Sequence, residues 1–450
     1  MYRLRCSIIN FVVFLFLVPI FGFADDVEKS SPVTVSGKLS IFSRYTDNPY
    51  FGGEINYKGS KPDDLYGEIA ATVAVTAKQN TDIGLLTGQL GVYMAQTIGD
   101  DFYGLIKNET NTAWDAAGYD SESENVLLNQ AWLKLSEAFG SSFDITVGRQ
   151  DIALEKGFIV WGNPRLETAA WINFQQSFPF AVRVDNKFGN LSTTALWAQA
   201  ERYDKDAFEN DVKLYGINMH YDFNEDAYIY GSVFRKDEPS LDDTSSDIDT
   251  QENNTTSYDL GADIKYGKFQ FELEGAYQTG DVITASDKFD RDAYAYWGAV
   301  TYRFEANLNP YVRGSYFYYS GDDDDSSDIE AYDPMFSGMS GWNRFFIGEF
   351  VGENQLGNSN KEAFVYEVGM SPTESLNVAI MYITDNLAEK NAQGNKHWAN
   401  EIDLLVDYFI AEGVYLHVGF GYAMPGKAAE DLYGDDADGT FAQCQLTYNF

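Results

Sequence analysis

The side chains that could do chemistry in this chain are charged groups set at every second position of otherwise apolar stretches. Lys38 and Arg44, Lys134, Arg183 with Asp185 and Lys187, Asp259 and Asp263, Glu272 and Glu274, and Glu401, Asp403 and Asp407 all follow this rule. A period of two puts such charges on one face of an extended strand and the Val, Ile, Phe and Tyr between them on the other. Charges ranked in this way can orient and sort ions or polar solutes. They do not assemble a catalytic set. His220 closes a strand, His397 stands in a loop beside Trp398, and His417 lies one hairpin from Asp407. No serine nucleophile motif accompanies them, none has metal-ligand spacing, and no Cys-x-x-Cys-His haem motif occurs. The expectation is a protein that is not an enzyme, with no cofactor and no bound metal.

The elements that must hold these charges are strands. From Val33 to Tyr45 the odd positions are mainly apolar, while Thr34, Ser36, Lys38, Ser40 and Arg44 alternate with them. The alternation recurs over residues 68–78, 130–135, 181–188, 258–265, 269–278, 297–304, 401–408 and 442–450, and no comparable stretch keeps a helical period. Connections alternate in length. Short ones are expected near residues 79–82, 138–142, 187–190, 223–226, 266–267, 305–309, 372–375 and 410–413. Long polar ones fall at 46–64, 99–125, 237–255, 321–359 and 424–438. Short turns on one side and long loops on the other are the topology of outer-membrane barrels. The predicted fold is all-β, a transmembrane antiparallel up-and-down barrel of about 18 strands, with short periplasmic turns and long acidic extracellular loops.

Composition agrees. Aromatic residues are 16% of the chain, with 31 Tyr and 32 Phe, the kind of content that interfacial girdles demand. The net charge of −38 excludes nucleic acid as a partner. Arg3 and Arg5 precede an apolar run from Ile8 to Phe23 that ends in Gly22-Phe23-Ala24. This pattern predicts a signal peptide over residues 1–24, cleaved after Ala24, and a single barrel domain over residues 25–450 in the bacterial outer membrane. Cys444 is then the one remaining cysteine, so no disulfide framework supports the fold. The last ten residues alternate and finish on Phe450, like the closing strand through which barrel-assembly machinery recognises its clients.

Several segments resemble the alginate-export family of outer-membrane porins. They are Asn129-Gln-Ala-Trp-Leu-Lys-Leu135, Val147-Gly-Arg-Gln150, Asn163-Pro-Arg-Leu166, Phe180-Ala-Val-Arg-Val-Asp185, Glu401-Ile-Asp-Leu404 and Gly421-Tyr-Ala-Met-Pro-Gly426. The resemblance implies an 18-stranded channel for saccharides or other hydrophilic solutes, with selective roles for Arg149, Arg165 and Arg183. The acidic composition is where this chain departs from an exporter of a polyanion.

A cationic side chain facing lipid at the midplane costs ~2–4 kcal/mol, so strand charges are expected to face the lumen. In the first half these are Lys38, Arg44, Lys134, Arg183 and Lys187, with Glu68 and Asp185 as acidic exceptions. In the second half they are Asp259, Asp263, Glu272, Glu274, Glu367, Glu401, Asp403 and Asp407, offset by Arg303 and Arg313. One basic and one acidic wall would set a transverse field across the pore. Arg149 shares the parity of Ile145 and Val147, which places it at the rim or beyond a bulge. The stretch from Ile152 to Gln176 is long enough to fold inward as a constriction or to remain an external loop. The acidic runs at 322–325, 242–249 and 435–438 read as solvated loops that divalent cations could bridge to lipopolysaccharide phosphates. Outer-membrane lipid, lipopolysaccharide, the assembly machinery and a small hydrophilic solute or polysaccharide are the expected partners. The alternative is a scaffold or partner sheath whose loops, not its pore, carry the function.

Overall fold

A computed structural model describes residues 32–48, 51–52, 65–98, 126–162, 177–200, 212–239, 250–284, 287–323, 326–336 and 358–450. The leader expected over residues 1–24 and Arg165 lie outside the described residues. The strands are β1 (Val33–Asp47), β2 (Leu65–Thr81), β3 (Gly84–Ile98), β4 (Val126–Ser136), β5 (Phe143–Asp151) and β6 (Ser177–Phe188). They continue as β7 (Leu191–Ala200), β8 (Val212–Asn224), β9 (Ala227–Pro239), β10 (Thr250–Tyr266), β11 (Phe269–Thr284) and β12 (Lys288–Arg303). The last are β13 (Tyr311–Tyr319), β14 (Lys361–Thr373), β15 (Leu376–Asn386), β16 (His397–Ala411), β17 (Val414–Pro425) and β18 (Gly439–Asn449), and a short α-helix, α1 (Lys427–Tyr433), precedes β18.

Each strand pairs antiparallel with the next, and β1 pairs with both β2 and β18, so the sheet closes on itself as an 18-stranded barrel. Closure leaves no strand edge, and every strand backbone can satisfy its hydrogen bonds without water, the condition for crossing hydrocarbon. The two faces separate as the period of two requires. Ile41, Leu90, Val147, Ile217, Leu260, Leu273, Val368 and Ile380 are exposed on the outside, while Ser40, Arg44, Thr146, Asn218, Asp259, Glu272 and Glu367 are buried on the inside. Tyr294, Tyr296 and Tyr318 extend the outward face as a stacked row, with ring centroids 5.2–6.4 Å apart.

The eight connections at one end of the barrel, from Thr81–Gly84 to Ala411–Val414, are short and fall where the alternation predicts them; the β11–β12 connection, Thr284 to Lys288, is a further short one at the other end that the alternation did not predict. Gly267 and Gly413 take positive φ at two of these turns, a conformation that a side chain would strain. At the seam, Gly37 donates its N–H to the Phe450 carbonyl at 2.9 Å and accepts from the Phe450 N–H at 3.0 Å. A Cβ at Gly37 would overlap the Phe450 ring, so the final aromatic residue covers the first strand's glycine as the barrel closes.

The lumen is not empty. After β5 the chain turns back on itself: Ala153 bridges Trp161, and the Leu154 N–H donates to the Val160 carbonyl at 3.0 Å. Glu155 and Gly157, both at positive φ, form the tip. A second segment, from the β13–β14 connection, joins it. Val160 bridges Phe336, and the Trp161 N–H donates to the Phe336 carbonyl at 2.7 Å. Phe158, Ile159, Val160, Tyr332, Met335 and Phe336 pack with Leu196, Ala198, Val212, Leu214, Phe234 and Phe317 of the barrel wall. Each large apolar side chain buried this way contributes about 1.5–3 kcal/mol, enough in sum to fix both segments inside.

Candidate functional site

The in-turned tip brings two charges to the wall formed by β8–β13. Lys156 Nζ lies 2.8 Å from Asp263 Oδ2 and 2.5 Å from Glu272 Oε1, and 5.6 Å from the ring centroid of Trp297. Glu272 also pairs with Arg313, whose guanidinium donates to Thr301 Oγ1 at 3.1 Å. Glu155 accepts from Asn218 Nδ2 at 2.6 Å and meets His220 Nδ1 at 2.9 Å, and the other ring nitrogen of His220 lies 3.1 Å from Asp222. Burial opposes the charge on Lys156, but the bonds to Asp263 and Glu272 outweigh it and raise its pKa. The tip is therefore a cation seated on two carboxylates and an aromatic face.

The second segment is held by Asp333. Its Oδ2 lies 2.5 Å from Lys236 Nζ and accepts from Thr255 Oγ1 at 2.7 Å, and its Oδ1 accepts from the Met335 N–H at 2.8 Å. Gln278 exchanges two further hydrogen bonds with the Asp333 backbone. Burial would raise the pKa of this carboxyl group, yet Lys236 and Arg291 outweigh it and hold the pKa well below the usual range.

The remaining lumen charges divide by wall. On the first-half wall, Lys134 pairs with Asp144 at 2.7 Å, and Arg183 Nε lies 2.8 Å from Asp185, which also accepts from Thr194. Lys38 and Arg44 take lumen positions on β1, and Arg44 lies 5.9 Å from the Phe441 ring centroid. This wall is consequently less basic than its Lys and Arg suggest, because Asp144, which the period assigned no role, neutralises one of them. On the second-half wall, Glu274 accepts from Trp297 Nε1 at 2.9 Å and Arg303 lies 5.3 Å from the Tyr311 ring centroid. Asp407 meets His417 Nδ1 at 2.8 Å and accepts from Tyr415. Asp403 lies buried beside Glu401 and Asp385. Arg149 stands across from Ala131 on the parity of outward-facing Val147. A register irregularity between β5 and β6 at Gly148–Gln150, with Gly148 at positive φ, interrupts the alternation beside it, and Arg149 is half-buried.

The structure brings Glu272 and Arg313 together, and Arg183 with Asp185, as the parity requires. The contributions of Glu155, Lys156, Lys236 and Asp333 were not legible from it. Lys156 and Asp333 sit in connections without a period, and only the length of the 152–176 stretch hinted at an inward turn.

The alginate export family profile matches residues 68–443. This chain belongs to the alginate export family. No curated protein matches the sequence. Among solved structures, the barrel is similar to Pseudomonas aeruginosa OccK8 (OprE), with a TM-score of 0.56 at 12% identity over 93% of this chain and 98% of that one. It is also similar to Pseudomonas aeruginosa OccK11 (OpdR), with a TM-score of 0.54 at 14% identity over 93% and 96%. Acinetobacter baumannii OccAB4 gives a TM-score of 0.55 at 14% identity over 94% and 100%. Identities this low carry the fold alone. Family and fold together make the chain a porin-like barrel of the bacterial outer membrane.

Proposed function

We propose that this alginate-export family member is a channel that sorts hydrophilic, charged solutes at the level of the in-turned tip. The observation that carries the reading is the seating of Lys156 on Asp263 and Glu272 inside the barrel. A sheath for a partner protein needs an unobstructed lumen. A solute filter needs a segment that narrows the lumen and presents fixed charges to the path. Segment 152–162 meets the second requirement, with Glu155 and Lys156 at its tip and His220, Glu272 and Arg313 on the facing wall.

Lumen residues Lys38, Arg44, Lys134, Arg183, Asp185, Glu274, Arg303, Asp403 and Asp407 line the route by this reading. The leader over residues 1–24 delivers the chain across the inner membrane, and the closing strand ending in Phe450 engages the assembly machinery. Family membership and fold favour a channel over an enzyme.

The test is single-channel recording of the folded, heat-modifiable protein in a planar bilayer. The channel reading expects steady conductance, and Lys156→Ala is expected to shift the reversal potential toward cations, because Asp263 and Glu272 lose a counter-charge. A verified folded barrel that passes no current at any salt or voltage would overturn the channel reading. An unchanged reversal potential in Lys156→Ala would overturn the role of the tip.

A further inference from the structure

The seat of the Lys156 ammonium is built by the barrel wall. Asp263, on β10, accepts from the Gln270 amide with both carboxylate oxygens at 3.1 Å and from the Tyr228 hydroxyl at 3.3 Å. Glu272, on β11, receives the Arg313 guanidinium on Oε2, which leaves Oε1 to Lys156. Trp297, on β12, is stacked on Phe317, with ring centroids 5.7 Å apart. Both carboxylates and the indole therefore have holders on β9, β11 and β13 that do not belong to the tip. The tip contributes the cation.

Carboxylate acceptors beside an aromatic face are the groups that recognise an ammonium ion. With Lys156 withdrawn, Arg313 balances one of the two carboxylates and the other is left uncompensated. The Lys156 side chain is 20% exposed, so water reaches it, and the room for a ligand is the volume that this side chain fills. The anchor of the second segment is built the opposite way. There the ammonium belongs to the wall, on Lys236 at 2% exposure, and the in-turned segment supplies the carboxylate. A mere anchor needs no access from the lumen, whereas a binding site does.

We infer that Asp263, Glu272 and Trp297 form a binding site for the primary ammonium group of a solute, and that Lys156 is a tethered stand-in which the solute displaces. The inference rests on the channel reading and names a class of solute that the filter recognises. A primary ammonium has three N–H donors, enough to serve Asp263 Oδ2 and Glu272 Oε1 as Lys156 does. A quaternary ammonium has none. A metal ion is poorly matched, since among the described residues no group of three His, Cys, Asp or Glu could hold one. Tethering gives the Lys156 ammonium a high local concentration, so a free ammonium gains the wild-type seat by competition.

Lys156→Ala removes three carbons and the nitrogen, the outline of n-propylammonium, which is therefore the probe. The experiment is saturation-transfer NMR of n-propylammonium with the full chain folded in detergent. Saturable binding is expected in Lys156→Ala, and at least about tenfold weaker binding in wild type, where the tethered ammonium competes. Loss of a charge-assisted hydrogen bond should weaken it at least about tenfold in Lys156→Ala/Asp263→Asn, and tetramethylammonium should bind Lys156→Ala at least about tenfold more weakly than propylammonium. Wild type supplies a measurement that needs no variant. Hydrogen exchange at the Leu154 and Gly157 amides, which close the turn of the tip, should quicken in propylammonium chloride relative to sodium chloride at equal concentration. No saturable binding to a folded Lys156→Ala barrel, equal binding of tetramethylammonium, undiminished binding in the Asp263→Asn variant, or equal exchange in the two salts would each overturn the assignment. Steady current without propylammonium binding would overturn the site and leave the channel reading standing, and binding without current would do the reverse.

Discussion

Asp333→Asn should release the second in-turned segment, and the structure sets the size of the effect. The substitution keeps shape and removes charge. Lys236, at 2% side-chain exposure, faces Asp333 at 2.5 Å and Glu238 at 3.0 Å. Breaking a buried pair with no replacement costs about 3–5 kcal/mol, much of it from the stranded partner. Because Glu238 still meets Lys236, the cost falls below that range, to about 2–3 kcal/mol. An asparagine Oδ1 can retain one of the hydrogen bonds from Thr255 and the Met335 N–H, so their loss adds little. The segment's open population should then rise roughly 30- to 150-fold, at about 1.4 kcal/mol per factor of ten. Tyr332 and Phe336 are both buried, so chymotrypsin can cut after them only when the segment leaves the lumen. With opening fast relative to cleavage, the rate of that cut follows the open population. The assay is the initial rate of the fragment ending at Tyr332 or Phe336, read by mass spectrometry. Replacing the pair with apolar residues, Lys236→Met with Asp333→Leu, should return the rate toward wild type. Cleavage of Asp333→Asn within threefold of wild type would refute the assignment of Asp333 as the anchor.

The same anchor predicts a pH dependence. A carboxyl group held below its usual pKa in the folded state stabilises above its unfolded value near ~3.9 and loses that stabilisation as pH falls. Protection of the 330–336 amides against hydrogen exchange, corrected for intrinsic rate, should stay level from pH 8 to about pH 5 and fall below about pH 4. A constant protection factor down to pH 3 would show that Asp333 carries none of it. Gly37→Ala should destabilise the β1–β18 seam by about 1–3 kcal/mol through overpacking against Phe450, lowering the temperature at which the folded band disappears on a semi-native gel. Cys444 is exposed on the outward face of β18, so a lipophilic maleimide should label it in reconstituted bilayers while a sulfonated maleimide should not. Equal labelling by both would place that face in water.

The fold was legible because a spanning strand has only two environments. Residues 33–45 alternate, and in the barrel Ile41 faces outward while Ser40 and Arg44 face inward. The eight turns were legible because short connections must reverse antiparallel neighbours within a few residues. The charge balance was harder to read. Parity assigns Lys134 to the lumen, but only the register shows that Asp144 lies where it can neutralise Lys134, since the two are joined through a turn whose geometry fixes the pairing. The expected basic wall is accordingly blunted at Lys134 and Arg183. The acidic run at 322–325 likewise gains a local role, with Asp322 Oδ1 accepting the N–H groups of Glu330 and Ala331, both at 2.7 Å, inside its own loop.

The in-turned segments left a mark on the sequence in the strands they cover. β7, β8 and β9, like the later run β13, β14 and β15, are missing from the stretches that alternate cleanly; in the first run the lumen positions include Leu196, Ala198, Val212, Leu214 and Phe234 while the outward positions include Trp197, Ile217 and Val233. A spanning strand that is apolar on both faces cannot have both faces in their usual surroundings, since a water-filled lumen favours polar side chains. Something apolar must lie against the inner face. Here it is Phe158, Ile159 and Val160 from one connection, with Met335 and Phe336 from another. Lost alternation in a run of neighbouring strands therefore marks where a barrel wall is covered from within. Among the connections long enough to reach it, those with closely spaced apolar residues, Phe158-Ile-Val-Trp161 among them, are the ones to expect there.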